Sequence, residues 1–366
     1  MSGTEIESKT STADDRSNII ERLIFDSPRA LFIFGSLSLL IFKVGVSPLP
    51  AFYKITIVAS NPFRNQLSEP LDFYLMWNWL TPYLGWLTKL NSNQEMLIIH
   101  ILLSFAFIAV VVVALFIRLP DAQARVAMII FMILPISGST LYWISYDGPA
   151  LLLMALAIFV IKNNVALVVV GVLLGLQDFE PTVVGFSALL LALILARGTN
   201  QRLHIKISQP LLIIVGAVAG RLFLTVLFHR WGITGNSGRL SWIVANKADL
   251  ISQLVHGPYL FVWSILGLGW ILVATYRLTN FALTRAFIVP LLFLSLMAII
   301  TVDKTRVMAL VTFPLLCAFW LKDAEFLSGI NKKLAGAFAL IWLFVPWIWI
   351  IKGGCYPSAF NIFNSF

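Results

Sequence analysis

Residues 165–196 read VALVVVGVLLGLQDFEPTVVGFSALLLALILA, two apolar runs flanking a tight turn that holds Gln177, Asp178, Glu180 and Pro181. The runs are expected to be helices crossing hydrocarbon, with the turn carrying charge to one membrane face. Two carboxylates in so short a turn exceed what helix capping needs. They suit a divalent cation, a sugar's hydroxyls or nearby basic groups, the plain alternative being a solvated turn.

The same pattern extends over most of the 366 residues. A chain that is 59% hydrophobic and 12% charged, with 12 Trp and 28 Phe, does not make a soluble single core and reads as a polytopic membrane protein. The expected fold is all-α with about eleven transmembrane helices, each apolar over roughly 17–25 residues or somewhat fewer. They are placed near 30–48, 96–117, 126–143, 148–161, 165–177, 182–196, 208–228, 257–276, 286–301, 307–321 and 334–351. One domain over 30–351, with outer loops at 49–95 and 229–256, follows a tail at 1–29 and precedes an outer segment at 352–366. The chain shows no clear tandem repeat or inverted duplication, which weakens a transporter built from paired halves.

Orientation follows from Lys and Arg. With the N-terminus inside, the inner segments carry more than half of the 26 basic residues, among them Arg22, Arg29, Arg118, Arg125, Lys162, Arg197, Lys322 and Lys332. The polar start of the chain lacks the apolar core and cleavage site of a signal peptide and reads as a cytoplasmic tail. The net charge of +9 is then mostly topology, and no basic-aromatic motif points to nucleic acid. Cys317 and Cys355 fall at opposite ends of the helices, beyond the reach of a disulfide. The four His are scattered, and no glycine-rich phosphate loop occurs, which argues against a zinc or haem site and against nucleotide chemistry.

Threaded in this way, Asp147, Asp178, Glu180 and Asp303 all surface at the outer face, beside a loop carrying Glu69 and Asp72, whereas Asp121 and Asp323 fall inside. Carboxylates next to hydrocarbon are expensive, so their gathering at one face marks it as the functional one. The outer loop reads NPFRNQLSEPLDFYLMWNWLTPYLGWL over 61–87. Ser68 is placed to cap a helix, Pro70 suits its first turn, and Glu69 and Asp72 then lie near the positive end of the dipole. Trp77, Trp79, Tyr83 and Trp86 favour the headgroup level, so two short interfacial helices broken at Pro82 are expected. Asp72 is either a helix-start carboxylate or a general base held at the membrane surface.

Two further strings complete the set. In LYWISYDGPALLLMALAIF, Asp147 precedes Gly148 and Pro149 and is read either as the N-cap of the returning helix or as a site residue. In LMAIITVDKTRVMALVTFPLL, Asp303, Lys304 and Arg306 put a cation pair beside a carboxylate, which suits a phosphate with its orienting partner or a local ion pair in a wet turn. Arg221, within an apolar run, and Lys43 are placed to snorkel toward the same cleft.

With these acidic outer turns, interfacial helices bearing a first-loop carboxylate, and late outer basic groups, the chain resembles the C-type (GT-C) membrane glycosyltransferases, over most of its length as architecture. The resemblance implies a sugar donor linked to polyprenyl phosphate or pyrophosphate, with Asp72, or Glu69 beside it, as the catalytic acid residue. It also implies Arg306, Lys304 or Arg230 at the donor phosphate. The substrate-binding set then comprises Asp147, Asp178, Glu180, Asp303, Lys304, Arg306, Arg230 and Arg221. No cofactor is required, although a divalent cation is compatible, and no metal ligands are assigned. The partners are a polyprenyl-phosphate sugar, a glycan or lipid acceptor and membrane lipid. A bacterial inner membrane with the active face periplasmic fits this scheme. The runner-up is a lipid-linked glycan polymerase or ligase, for which His229 and Arg230 offer only a modest basic outer loop. A flippase or transporter would line a mid-membrane route with polar residues instead.

Overall fold

The computed structural model describes residues 19–67, 70–198, 205–233, 243–279 and 281–358, and these are mostly helical. Several helices close their own ends. Ser92 and Glu95 form a capping box at the start of Asn93–Arg118, the Asn163 side chain accepts from Val165 and Ala166 before Asn164–Gln177, and Asn331 accepts from Leu334 before Lys332–Phe344.

Among the described residues, four helices are long and apolar enough to cross a membrane: Asn93–Arg118, Ser208–Arg230, Pro258–Thr275 and Lys304–Leu321. Two bent pairs raise this to six if each is one span, Ile19–Phe25 with Arg29–Val44 at 112° and Asp121–Ile133 with Pro135–Tyr142 at 58°. The expected number of about eleven spans is therefore too high. Apolar helices do form over most of the expected segments, but Asp147–Val160, Asn164–Gln177, Phe179–Leu195 and Leu283–Ile299 are shorter. A helix of 14 residues such as Asn164–Gln177 runs about 21 Å at 1.5 Å per residue, well under the roughly 30 Å of hydrocarbon. Composition registers an apolar run; turns at Asp178 and Pro135 cut its length.

Asn164–Gln177 and Ser208–Arg230 pack most closely, because glycines remove the side chains between them. A Cβ added to Gly175 would stand 2.2 Å from the Ala217 carbonyl, and one added to Gly220 would stand 2.3 Å from that of Val172. This backbone approach is how small residues join helices where lipid gives no hydrophobic drive. The pair is thereby fixed at the end where Gln177, Asp178 and Arg221 sit.

The C-terminal part departs from the expected helix over 334–351. Lys332–Phe344 ends early, and Ile348–Ile351 pairs antiparallel with Gly354–Pro357. Lys352 and Gly353 make the two-residue connection with φ of 50° and 71°, the left-handed turn that matches strand twist. Lys43, expected to snorkel toward the cleft, instead donates to the carbonyls of Trp342, Leu343 (3.1 Å) and Val345 (2.6 Å), closing the C-terminus of that helix.

The first loop folds as a helix over Tyr53–Ser60, a 3-10 helix over Pro70–Trp77 and a helix over Leu80–Thr88. Pro82 sits in the first turn of the last one, where its missing N–H costs nothing, so the break falls at Asn78 and Trp79 and not at the proline. Trp79 and Tyr83 stack at 4.3 Å between centroids, and Phe63 lies edge-on to Trp86 and Trp231 at 4.6 and 4.8 Å. The aromatic residues expected at the headgroup level thus pack on one another and on the end of Ser208–Arg230.

Candidate functional site

Asp147, Asp178 and Asp303 each lie at a junction between successive helices, and direct bonds bring these junctions together. Gln177 is the stitch. Its amide donates to the Tyr146 carbonyl at 3.0 Å, its oxygen accepts from Thr81 N at 3.1 Å, and the neighbouring Leu176 carbonyl accepts from Trp79 N at 2.9 Å. One fully buried side chain thereby joins the Asp147 turn, the Asp178 turn and the first loop. The sequence offered Gln177 only as one polar residue of its turn.

Arg306 gathers the charges. Its Nε lies 2.9 Å from Asp303 Oδ2 and 3.4 Å from Asp147 Oδ2, and its guanidinium stands 5.2 Å from the Tyr146 ring centre. All three charged side chains are largely buried, at 13%, 6% and 9% exposure for Arg306, Asp147 and Asp303. Neither carboxylate caps its helix: Tyr146 holds the N-cap position ahead of Asp147–Ala155, and Asp303 precedes Lys304–Leu316 without a side-chain cap bond. Burial pushes the Asp303 carboxyl up to about 7, with Arg306 opposing the shift and Asp147 adding to it.

The cation pair read from the sequence is split. Lys304 Nζ turns away from Arg306 and donates to Gln253 Oε1 at 2.7 Å and to the Thr301 carbonyl at 3.0 Å, while Gln253 donates to Asp249 at 2.8 Å. Residues 304 and 306 lie about 200° apart around a helix, so they present to different neighbours. Thr305 between them accepts from Ile350 N at 2.9 Å, and Asp303 bridges to Ile351, so the C-terminal hairpin rests on this turn.

Arg221 makes a second centre. It pairs with Glu180 at 3.3 Å, lies 3.5 Å over the Trp77 ring and stands 5.4 Å from the Phe179 ring centre. Trp77 ends the 3-10 helix on which Asp72 is carried, so Arg221 ties that helix to the Asp178 turn. Asp178 is buried, and its carbonyl accepts from Thr182 Oγ1 at 2.6 Å. Glu180 turns to Arg221, and among the described residues no three His, Cys, Asp or Glu side chains gather as a metal site.

Comparison with protein-family models, curated proteins and solved structures gave no match. Glu69 lies outside the described residues, and of Asp72 only the backbone is described. Arg230 is exposed in the last turn of Ser208–Arg230. The sequence does not single out Tyr146 and Gln253, and it marks Trp77 as a headgroup-level aromatic and not as the partner of Arg221; aromatic and amide side chains carry no charge signal in an apolar sequence, and only contact geometry reveals these pairings.

Proposed function

We propose that this chain is an integral membrane glycosyltransferase that moves a sugar from a polyprenyl-phosphate donor to a lipid-linked or cell-envelope glycan acceptor. The observation that carries the reading is the Asp147–Arg306–Asp303 cluster, largely buried at the end of the candidate span Lys304–Leu321. In this reading the end of the apolar helix is the level of the lipid headgroups, where the Arg306 guanidinium would meet a lipid-borne phosphate. The planar fork of arginine matches phosphate oxygens, and a partly water-excluded setting strengthens that interaction as negative charge builds on the leaving group.

In the step itself the acceptor hydroxyl oxygen attacks the anomeric carbon. The new carbon–oxygen bond forms as the bond to the phosphate oxygen breaks, with its electron pair leaving on the phosphate. Asp72 takes the hydroxyl proton as general base, with Glu69 supporting the helix start or exchanging roles with it. Arg306 faces the departing phosphate, Arg221 and Glu180 hold the Asp72-bearing helix against the bundle, and Asp147 and Asp178 supply acceptors for sugar hydroxyls. Lys304, turned toward Gln253, orients the Asp303 turn, and Arg230 meets the donor from the outer loop. The scheme requires no cofactor and tolerates a divalent cation. The N-terminus is cytoplasmic and the acidic end periplasmic.

Mass spectrometry of lipid co-purifying with the protein, followed by a transfer assay with that lipid, tests the proposal. An intact polyprenyl-phosphate monosaccharide that is turned over supports it. Turnover confined to polyprenyl-pyrophosphate glycans would replace it with a polymerase or ligase, and directional lipid movement without bond cleavage would replace it with a flippase.

A further inference from the structure

The helix Lys247–His256 shows three kinds of surface on its ten residues. Successive residues advance by about 100° around a helix, which sorts them cleanly. Leu250, Gln253 and Leu254 share one sector and are buried or half-buried against the bundle. Asp249, Ser252 and His256 share a second sector, exposed and polar, with the His256 Nδ1 2.9 Å from the Ser252 carbonyl. Ala248, Ile251 and Val255 share a third, and it is apolar yet open: Ile251 is 60% exposed and Val255 66%. A helix in water needs only two surfaces, one toward the protein and one toward solvent. The third calls for an apolar medium alongside.

The chain supplies the direction of that medium. Gly257 closes the helix, and Pro258 opens the candidate span Pro258–Thr275 directly afterwards, with Tyr259 at 70% and Val262 at 49% exposure on its first turns. The open apolar surface of the short helix is thus continuous in sequence with that of a helix long and apolar enough to cross hydrocarbon. Lys247, exposed between the apolar and bundle-facing sectors, has a stem long enough to lie along acyl chains while its ammonium reaches the headgroups.

We infer that Lys247–His256 lies in the plane of the bilayer interface, with Ile251 and Val255 in the acyl boundary, Ser252 and Asp249 in water, and Gln253 on the protein. The partner is the bilayer itself, and the inference is independent of sugar transfer. It gives Lys304 a defined neighbour: the helix that floats at the interface also carries the Gln253 amide oxygen to which Lys304 donates, and the hairpin turn rests on the same side chain, where a Cβ at Gly353 would stand 3.0 Å from Gln253 Cγ. Membrane contact is thereby connected to the Asp303 turn through one amide.

Nitroxide labels at Ile251→Cys, Val255→Cys, Ser252→Cys and Asp249→Cys test this, each in the full chain carrying Cys355→Ser and reconstituted into phosphatidylcholine–phosphatidylglycerol vesicles. Buried Cys317 stays unlabelled. Labels at 251 and 255 should collide several-fold more with lipid-dissolved oxygen than with a water-soluble nickel chelate, and those at 252 and 249 should show the reverse. Equal nickel access at all four positions would place the helix in water and overturn the inference. Exclusion of both reagents at 251 and 255 would also overturn it, by showing that protein and not lipid covers the stripe. The variant Ile251→Glu, labelled at 255, should raise nickel access there if lipid holds the helix; unchanged access would count against lipid.

Discussion

The two ends of this helix bundle spend their carboxylates differently. At the end where the chain begins, Asp121 accepts from Arg29 at 2.8 Å and from Arg125 at 2.6 Å with its side chain 39% exposed, and Asp323 caps Ala324–Gly329 through Glu325 N and Phe326 N. Arg125 also donates to the Ile24 and Ser27 carbonyls, holding the bent N-terminal helix in place. These acids close helices and tie elements. At the opposite end Asp147 and Asp303 cap nothing; both are largely buried and converge on Arg306. Identical residue types thus serve architecture at one end, where Asp323 is fully buried but met by two backbone N–H groups, and a charge cluster at the other, where two buried carboxylates share one guanidinium; it is that sharing that calls for a function.

The largest effect expected from breaking this contrast is on catalysis. Asp72→Asn keeps size while removing charge and basicity, so donor binding should persist while turnover falls by roughly 10²–10⁴. Donor binding and transfer measured on the same preparation check this, and near-normal transfer would take Asp72 out of the mechanism. Next comes Arg306→Ala, which strands two buried carboxylates and should cost about 3–5 kcal/mol of stability or force them to take up protons. Arg29→Ala, at the exposed pair of the other end, should cost about 1 kcal/mol or less. Thermal melts of the two variants in detergent compare the ends directly; Arg306→Lys should restore only part of donor use, because a point charge replaces a fork.

Those two ends were not equally legible in the sequence. The apolar runs, the acidic turns and the first-loop helices could be read from composition and from Pro, Gly and Ser positions. Helix length could not: with turns such as those at Pro135 and Asp178, the described residues hold four candidate spans, or six with bent pairs, where apolar content indicated about eleven. Adjacency in sequence also misled at Lys304 and Arg306, which a helix turns to different neighbours, and at Lys43, whose carbonyl acceptors lie about three hundred residues away. The acids Asp147 and Asp303 stand out in the sequence as carboxylates between apolar runs, but their shared partner Arg306 depends on the bundle bringing two distant turns together. The hairpin at Ile348–Pro357 was hidden because Trp and Ile suit a strand as well as an apolar helix.

Smaller effects sharpen the comparison. Folded Asp303 takes its proton near pH 7, while an unfolded aspartate does so near 3.8. The folded chain therefore holds the extra proton between these values, and stability falls as pH rises from about 4 to about 7. Melting curves across this range should slope downward for the parent chain and flatten for Asp303→Asn. Asp323→Ala, which removes the cap of Ala324–Gly329 at the other end, should cost about 1 kcal/mol in the same melts. Exposed Cys355 fixes which end faces outward: a membrane-impermeant maleimide should label it in intact cells while buried Cys317 stays protected. Labelling of Cys355 only after the inner face is opened would invert the orientation.

The most direct test of the central claim is the initial rate of sugar transfer from a purified polyprenyl-phosphate sugar, measured for Asp147→Asn and for Asp121→Asn at matched expression and melting behaviour. The account predicts that Asp147→Asn, at the buried cluster, loses most of the rate, while Asp121→Asn, at the architectural end, keeps a rate close to that of the parent. Equal rates for the two variants, or loss only with Asp121→Asn, would contradict it.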